Sequence, residues 1–376
     1  MANGMPLRFV FASDSFKGTL SSADTARLLE VAARRAHPGC SCVFVPMADG
    51  GEGTVDALVS ACGGTYRDLV VSDPVGRSVT ARYGLLGEGR AVIEMAAASG
   101  LPLVDKGERD PRRTSTFGTG QLLLDALDAG CADVTLAIGG SATNDGGMGC
   151  LRALGVRFLD AEGIELRGVG ADLARVTEID ASGLDRRVGR IRLRVMCDVD
   201  NPLCGPCGAT RVFAPQKGAS PQVVEELEWG MRNYARRLEA CSDRAVDVPG
   251  AGAAGGLGAA CLALLGARLV SGVDAVLELV GLDRLLEGAS LCVTGEGRYD
   301  GQTARGKVVS GVAAACARAH VPCVALVGSR DPQAELVPGL SGIEVSAPEG
   351  MPLPEALARS RELYAAAARR LFELWP

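Results

Sequence analysis

Five polar clusters in this chain combine carboxylates with glycine, serine, asparagine, lysine or arginine in short runs. They are Ser13-Asp14-Ser15-Phe16-Lys17-Gly18, Ala48-Asp49-Gly50-Gly51-Glu52-Gly53-Thr54, Gly139-Gly140-Ser141-Ala142-Thr143-Asn144-Asp145-Gly146-Gly147, Cys197-Asp198-Val199-Asp200-Asn201-Pro202 and Gly295-Glu296-Gly297-Arg298-Tyr299-Asp300-Gly301. Any one of them is ordinary turn chemistry. Together they supply carboxylates that can hold Mg²⁺ or accept a proton, isolated ammonium groups, and backbone N–H groups ahead of helices. Phosphoryl transfer draws on that inventory, because it needs charge neutralisation and positioning more than covalent chemistry.

Two further runs bear on phosphate. The stretch from Val248 to Ala267 carries Gly255, Gly256 and Gly258 before an apolar helical pattern. Glycine lets a backbone approach phosphate closely, and a helix start offers unpaired N–H groups. Close helix packing is the competing use of the same glycines. The run Gly301–Val308 reads Gly-x-x-x-x-Gly-Lys, one residue short of a P-loop. A P-loop places Ser or Thr after the lysine to ligate Mg²⁺; here Val308 stands there, so Glu296 and Asp300 are the expected metal ligands. Lys307 is expected to act as a point charge.

The choice of cations supports this reading. Of 39 Lys and Arg residues only four are Lys: Lys17, Lys106, Lys217 and Lys307. Where arginine is the default, a surviving lysine suggests a need for a compact ammonium. Three of the four lie in the runs SFKG, PQKG and RGKV.

Composition excludes several classes. The net charge of −6 and the 4% aromatic content argue against nucleic acid as a partner. The uncharged 248–267 stretch is interrupted by glycines and reads as a loop entering a buried helix, not a membrane span. The thirteen cysteines and the early charges at Asp14 and Lys17 point to a reducing cytoplasm without a signal peptide. Cys204-Gly205-Pro206-Cys207 has thioredoxin spacing, but GATRVFAPQKG after it lacks helical periodicity, so loop cysteines are expected. His37 and His320 stand at helix ends without partner motifs.

The elements that must position these groups alternate. Apolar runs at 8–13, 42–47, 134–139, 193–198, 291–295, 323–328 and 343–348 read as strands, several buried on both faces as in a parallel sheet. Ser21-Ser22-Ala23-Asp24 starts the first helix as a capping box. Helical patterns follow at 52–62, 119–129, 148–154, 223–241, 258–267, 308–320 and 354–374. Residues 66–101 read as strand pairs, and 156–192 as a charged, loop-rich stretch. The fold class expected is α/β in two domains. A Rossmann-like or flavodoxin-like parallel-sheet domain comes from 1–65 and 283–376, and a second α/β domain, 66–282, interrupts it. Those boundaries hold to about fifteen residues, and 131–150 fits either domain. Ligands of open α/β sheets bind beyond the carboxyl ends of strands, where the clusters sit.

Seven segments in this order, ASDSFKGTLSS, ADGGEGTVDAL, GGSATNDGGMG, CDVDNPLCG, PQKGA, PGAGAAGGLGA and GEGRYDGQTARGKV, closely resemble the bacterial-type glycerate kinase family, the glycerate 2-kinases. The resemblance covers residues 8 to about 330. It implies two α/β domains with the site between them, ATP and Mg²⁺ as cofactors, D-glycerate as acceptor and 2-phosphoglycerate as product. The segment RDPRRTSTFGTG is more arginine-rich than the family pattern. From chemistry, Asp198 is the expected base, with Asp49 and Glu296 as rivals. Lys17 and Lys307 are expected to neutralise charge. Asp14, Arg298 and Asn201 are candidates for the substrate. Gly139, Gly140, Ser141, Asn144, Gly255, Gly256 and Gly258 are expected to hold phosphate or the substrate carboxylate, without a decision as to which. Another small hydroxy acid as acceptor, or a 3-phosphate product, stays open, and a non-catalytic nucleotide-binding regulator would not need so many strand-end carboxylates. The expected partners are small molecules, with the chain alone or as a homodimer.

Overall fold

The structure is a computed structural model that describes residues 7–48, 50–51, 53–304 and 307–375. It is mixed α/β. Its contacts divide it into two units, one from residues 1–49, 60–62 and 273–376 and one from 50–59 and 63–272.

The first unit is built on five strands, Arg8–Ser13, Ser41–Phe44, Leu291–Gly295, Cys323–Val327 and Gly342–Val345. Counted along the chain, their order in the sheet is 2-1-3-4-5, and every pairing is parallel. That is the flavodoxin-like order, and its switch point falls between Arg8–Ser13 and Leu291–Gly295. The residues on both faces of these two strands are buried, which explains their unbroken apolar sequence. One face is covered by the helices Ser22–Ala36 and Ser360–Leu374. There Phe9 and Phe11 pack on Phe372, and Phe16 meets Tyr364 edge to face.

The first helix starts on the capping box read from the sequence. The Asp24 amide donates to Ser21 Oγ at 3.0 Å, and the Ser21 amide donates to Asp24 Oδ2 at 3.2 Å. The helical pattern at 354–374 is two helices, Leu353–Ala358 and Ser360–Leu374, which meet at Arg359. The helices Gly272–Val280 and Leu282–Leu286 went unassigned in the sequence reading.

The second unit carries a six-stranded sheet in the order Arg268–Val270, Arg192–Met196, Asp133–Ala137, Arg90–Glu94, Ser78–Gly87, Thr65–Ser72. The first four are parallel, and the last two add antiparallel pairs, the strand pairs expected at 66–101. Its core includes Tyr83, Ile93, Leu136, Met148, Val195, Tyr234 and Leu257. Among the described residues no helix is long and apolar enough to cross a membrane. Ala254, Gly255 and Gly256 at the start of the Ala253–Leu264 helix are left-handed, with φ of 54°, 66° and 94°.

Gly295 ends the central strand of the first unit where the backbone of the next strand presses on it. A Cβ there would stand 2.0 Å from the Leu326 carbonyl oxygen. Gly295→Ala is therefore expected to destabilise the protein by about 1–3 kcal/mol, the usual scale for overpacking. Urea unfolding of the variant beside the wild type checks this.

Candidate active site

At the switch point of the first unit the two central strands end in different directions. The Asp14 amide still donates to the Gly295 carbonyl at 2.9 Å, as the last rung between them. Beyond it the chain opens a cavity of about 1070 Å³. Asp14 and Lys17 line it from beyond the first strand, Glu296, Arg298 and Asp300 from beyond the third, and Lys307 from the start of the Val308–Ala319 helix. Val345, Pro348, Met351, Leu353, Leu357 and Leu363 add apolar lining. Leu353 and Leu357 are exposed there.

Glu296 is the buried carboxylate of the group. It accepts the Thr303 hydroxyl at 2.6 Å on Oε1. Burial pushes its pKa above the ordinary carboxylate range. The Thr303 hydrogen bond and the Lys307 ammonium pull it down, and Asp14 and Asp300 push it further up. Asp300 holds the turn that brings Thr303 back: its amide donates to Thr303 Oγ1 at 3.0 Å, and its Oδ1 accepts the Gln302 amide at 2.9 Å. Arg298 lies 3.6 Å from Asp300 Oδ2 across an exposed gap, a pair too wet to contribute much. Asp14 Oδ1 accepts the Ser15 amide at 2.7 Å. Asp14, Glu296 and Asp300 line one cavity as oxygen donors, the kind a hard divalent cation prefers, but their carboxylate oxygens do not all come within 4.8 Å of one another.

In the second unit the sequence clusters serve differently. Asp198 is exposed and its Oδ1 accepts the Gly272 amide at 2.9 Å. Asn201 donates its side-chain amide to the Cys207 carbonyl at 2.7 Å, so that group pins a loop. Gly139 and Gly140 face solvent after the Asp133–Ala137 strand. Ser141 and Asn144 are turned inward: Ser141 Oγ accepts Lys217 Nζ at 2.8 Å, and Asn144 Nδ2 donates to Thr210 Oγ1 at 3.1 Å.

The chain matches the Glycerate kinase family over residues 9–376. It is 45% identical over 367 residues to the glycerate kinase of Bacillus subtilis strain 168, covering 96% of each chain. It is 46% identical over 325 residues to the glycerate 2-kinase of Escherichia coli K12, covering 86% of this chain and 85% of that one. The crystal structure of a candidate glycerate kinase 2 from Salmonella typhimurium LT2 superposes with a TM-score of 0.89 at 41% identity, covering 98% of both chains.

The chain belongs to the glycerate kinase family. It is an enzyme, and small molecules are what this family acts on. With that frame, several site expectations need correction. Gly255, Gly256 and Gly258 are buried, not offered to a ligand. A Cβ at Gly255 would lie 2.1 Å from the Thr143 carbonyl oxygen, and one at Gly256 would lie 2.8 Å from Gly146 Cα. Glycine is needed there so that the helix start can press against the 143–146 backbone. These glycines form a packing joint between the helix start and that loop. Ser141 Oγ and Asn144 Nδ2 are bonded within the protein, while Asn144 Oδ1 is buried without a hydrogen-bond partner. Asp49 lies outside the described residues, as do Arg305 and Gly306 of the Gly301–Val308 run. The long strand ahead of that run ends at Gly295, a two-residue strand, Arg298–Tyr299, intervenes, and Val308 is a buried helix residue, 1% exposed.

Burial, chiefly, pushes the Cys204 thiol up to about 12, the opposite of a reactive thiol. A short helix, Ala209–Phe213, does follow, contrary to the sequence reading. It is preceded by Gly208, and the Cys204 amide is bound to Asp247 Oδ1 at 3.1 Å.

Two groups escaped the sequence reading. Arg330, after the Cys323–Val327 strand, lines the cavity, and the polar run Gly328-Ser329-Arg330-Asp331 at a strand end was the available signal. The sequence marks Lys217 only as a rare lysine. It is 2% exposed, and its Nζ donates to Ser141 Oγ and, at 2.6 Å, to the Thr143 carbonyl. It braces the 139–147 loop from inside. Beside it Asp145, fully buried, accepts the Thr116 amide and hydroxyl and the Gly147 and Gly149 amides.

Burial lowers the Lys217 pKa to about 7, while the Asp145 charge opposes that shift. The sign follows from proton counting. From about pH 7 to the ordinary lysine range the unfolded chain binds a proton that the folded one does not, so stability rises with pH through that window. Lys217→Met removes the titration and leaves the Thr143 carbonyl short of a donor. The variant is expected to melt lower than wild type, with the gap widening as pH rises from about 7 to 9. Melting curves of both proteins across that range are the measurement. A gap that stays constant contradicts a neutral buried amine.

Proposed function

We propose that the chain transfers the γ-phosphoryl group of ATP to the 2-hydroxyl of D-glycerate, forming 2-phosphoglycerate and ADP. The carrying observation is a cavity at the 2-1-3-4-5 switch, lined by charged and by apolar side chains, in a chain of the glycerate kinase family. Its apolar lining offers a surface for a purine, and Lys17 and Lys307 offer charge to the phosphates. This assigns ATP to the first unit, not to the glycine runs near 140 and 255. The relative named glycerate 2-kinase supports the 2-position.

Mg²⁺ fits the oxygen donors of the cavity. Glu296 and Asp300 would hold it, with Asp14 beside them, and it would neutralise phosphate charge. Burial chiefly, with the Asp14 and Asp300 charges behind it, raises the Glu296 pKa, and a bound cation would relieve that cost. Lys17, Lys307 and Arg298 add point charges toward phosphate and the substrate carboxylate. Asp198 accepts the proton of the attacking hydroxyl: it is an exposed strand-end carboxylate with one oxygen fixed by the Gly272 amide. Gly139 and Gly140 keep their backbone N–H groups available to an anion.

Incubation with ATP, Mg²⁺ and D-glycerate tests the reading. ADP release that depends on glycerate is expected, with phosphorus NMR placing the phosphate on the 2-oxygen. No glycerate-dependent ADP with any divalent metal would sink the activity, and a 3-phosphate product would refute the regiochemistry alone. Asp198→Asn is expected to lower kcat by roughly 10²-fold or more, with KM changed less. Lys307→Met should cripple turnover while circular dichroism stays native. Val308→Ser should gain no Mg²⁺ affinity, because the side chain at that position is packed inside the helix face.

A further inference from the structure

Three cysteines meet beneath the first unit's sheet. Cys292 and Cys323 are register partners on adjacent parallel strands, so their side chains share one face. Cys316 comes down on them from the Val308–Ala319 helix. The three sulfurs all lie within 4.8 Å of one another, and each residue is 0% exposed. It is the one such group of three potential ligands among the described residues. All three are free thiols, and the side chains around them on the helix, Val309, Val312, Ala313 and Ala315, are apolar and buried.

The surroundings limit what can bind. A soft ion ~2.3 Å from each of three sulfurs would need them ~4 Å apart, which the spacing allows. Three thiolates around a mono- or divalent cation leave net negative charge in an apolar interior, and burying uncompensated charge is costly. Trivalent arsenic escapes that cost, because three thiolates neutralise it. We infer that the Cys292–Cys316–Cys323 cluster is a binding site for a trivalent arsenical, taken up as uncharged As(OH)₃. Three As–O bonds break and three As–S bonds form. Each thiol proton leaves with a hydroxide as water, and arsenic stays trivalent, so no electrons are exchanged and no net charge is buried. Entry needs a local opening of the helix, so binding is slow.

Native mass spectrometry of the full chain incubated with sodium arsenite tests this. One arsenic per chain is expected in wild type. Cys316→Ala, which keeps a small apolar residue in the helix, should take up none at the same concentration. Cys204→Ser with Cys207→Ser should still take up one. X-ray absorption at the arsenic edge should count three sulfur neighbours in wild type, and hydrogen exchange in 308–319 should slow when the adduct forms. A wild type that takes up no arsenic, a Cys316→Ala chain that keeps it, or a first shell of fewer than three sulfurs overturns the assignment. The absorption and exchange measurements use wild type alone, so they decide the matter even if the variant does not fold.

Discussion

The hydrogen bond from the Asp14 amide to the Gly295 carbonyl is the last point at which the two central strands of the first unit stay together. Their parallel register runs from Phe9–Leu291 to Ser13–Gly295, and then each chain must leave the sheet. One goes to the Ser22–Ala36 helix and the other, through Asp300 and Thr303, to the Val308–Ala319 helix, and the two helices cover opposite faces. A crevice at that edge is a consequence of topology before any side chain is chosen. The sequence then fills it with the residues that topology makes useful. Gly295 allows the strand beside it to come close, and Glu296, the next residue, is carried into the crevice at 7% exposure.

Placing a carboxylate there has an electrostatic cost, and the surroundings show how it is met. Glu296 has a hydroxyl on one oxygen and an ammonium nearby, set against burial and two like charges. The balance still leans toward the neutral acid. An arrangement made for stability alone would have paired Glu296 with an arginine, as this chain does at many surface sites. Arg77 on Asp73 and Arg112 on Asp110 are two such pairs, each at 2.8 Å. The cavity keeps its lysines as point charges and its carboxylates crowded, which is the pattern of groups held ready for a charged ligand.

Much of this was legible in the sequence, and the reasons differ by element. The parallel strands were readable because burial on both faces leaves a continuous apolar run. The first helix was readable because Ser21 and Asp24 spell its cap. Lys17, Glu296, Asp300 and Lys307 were readable because strand ends are where ligands bind, whatever the rest of the fold does. The glycine runs misled, since a glycine that admits a phosphate and one that admits another backbone are the same letter. Only the Thr143 carbonyl against Gly255 tells them apart. The break at Arg359 was hidden for a related reason: its residues are good helix formers, and the apolar Leu353 and Leu357 fit a helical period although they wall a cavity.

The lysines carry the same lesson further. In a chain that uses arginine almost everywhere, Lys17 and Lys307 stand in the cavity, and Lys217 is enclosed beneath the 139–147 loop. Arginine would not serve in the third place. Its guanidinium stays protonated, so it cannot shed its charge when buried, and its five donors would need acceptors that Ser141 Oγ and the Thr143 carbonyl cannot supply. A lysine can give up its proton and still donate both remaining hydrogens to those two acceptors. The loop above it turns Gly139 and Gly140 to solvent while Thr143, Asn144 and Asp145 are 0% exposed. The buried amine fixes which part of the loop faces inward, and thereby which part is left to meet a ligand.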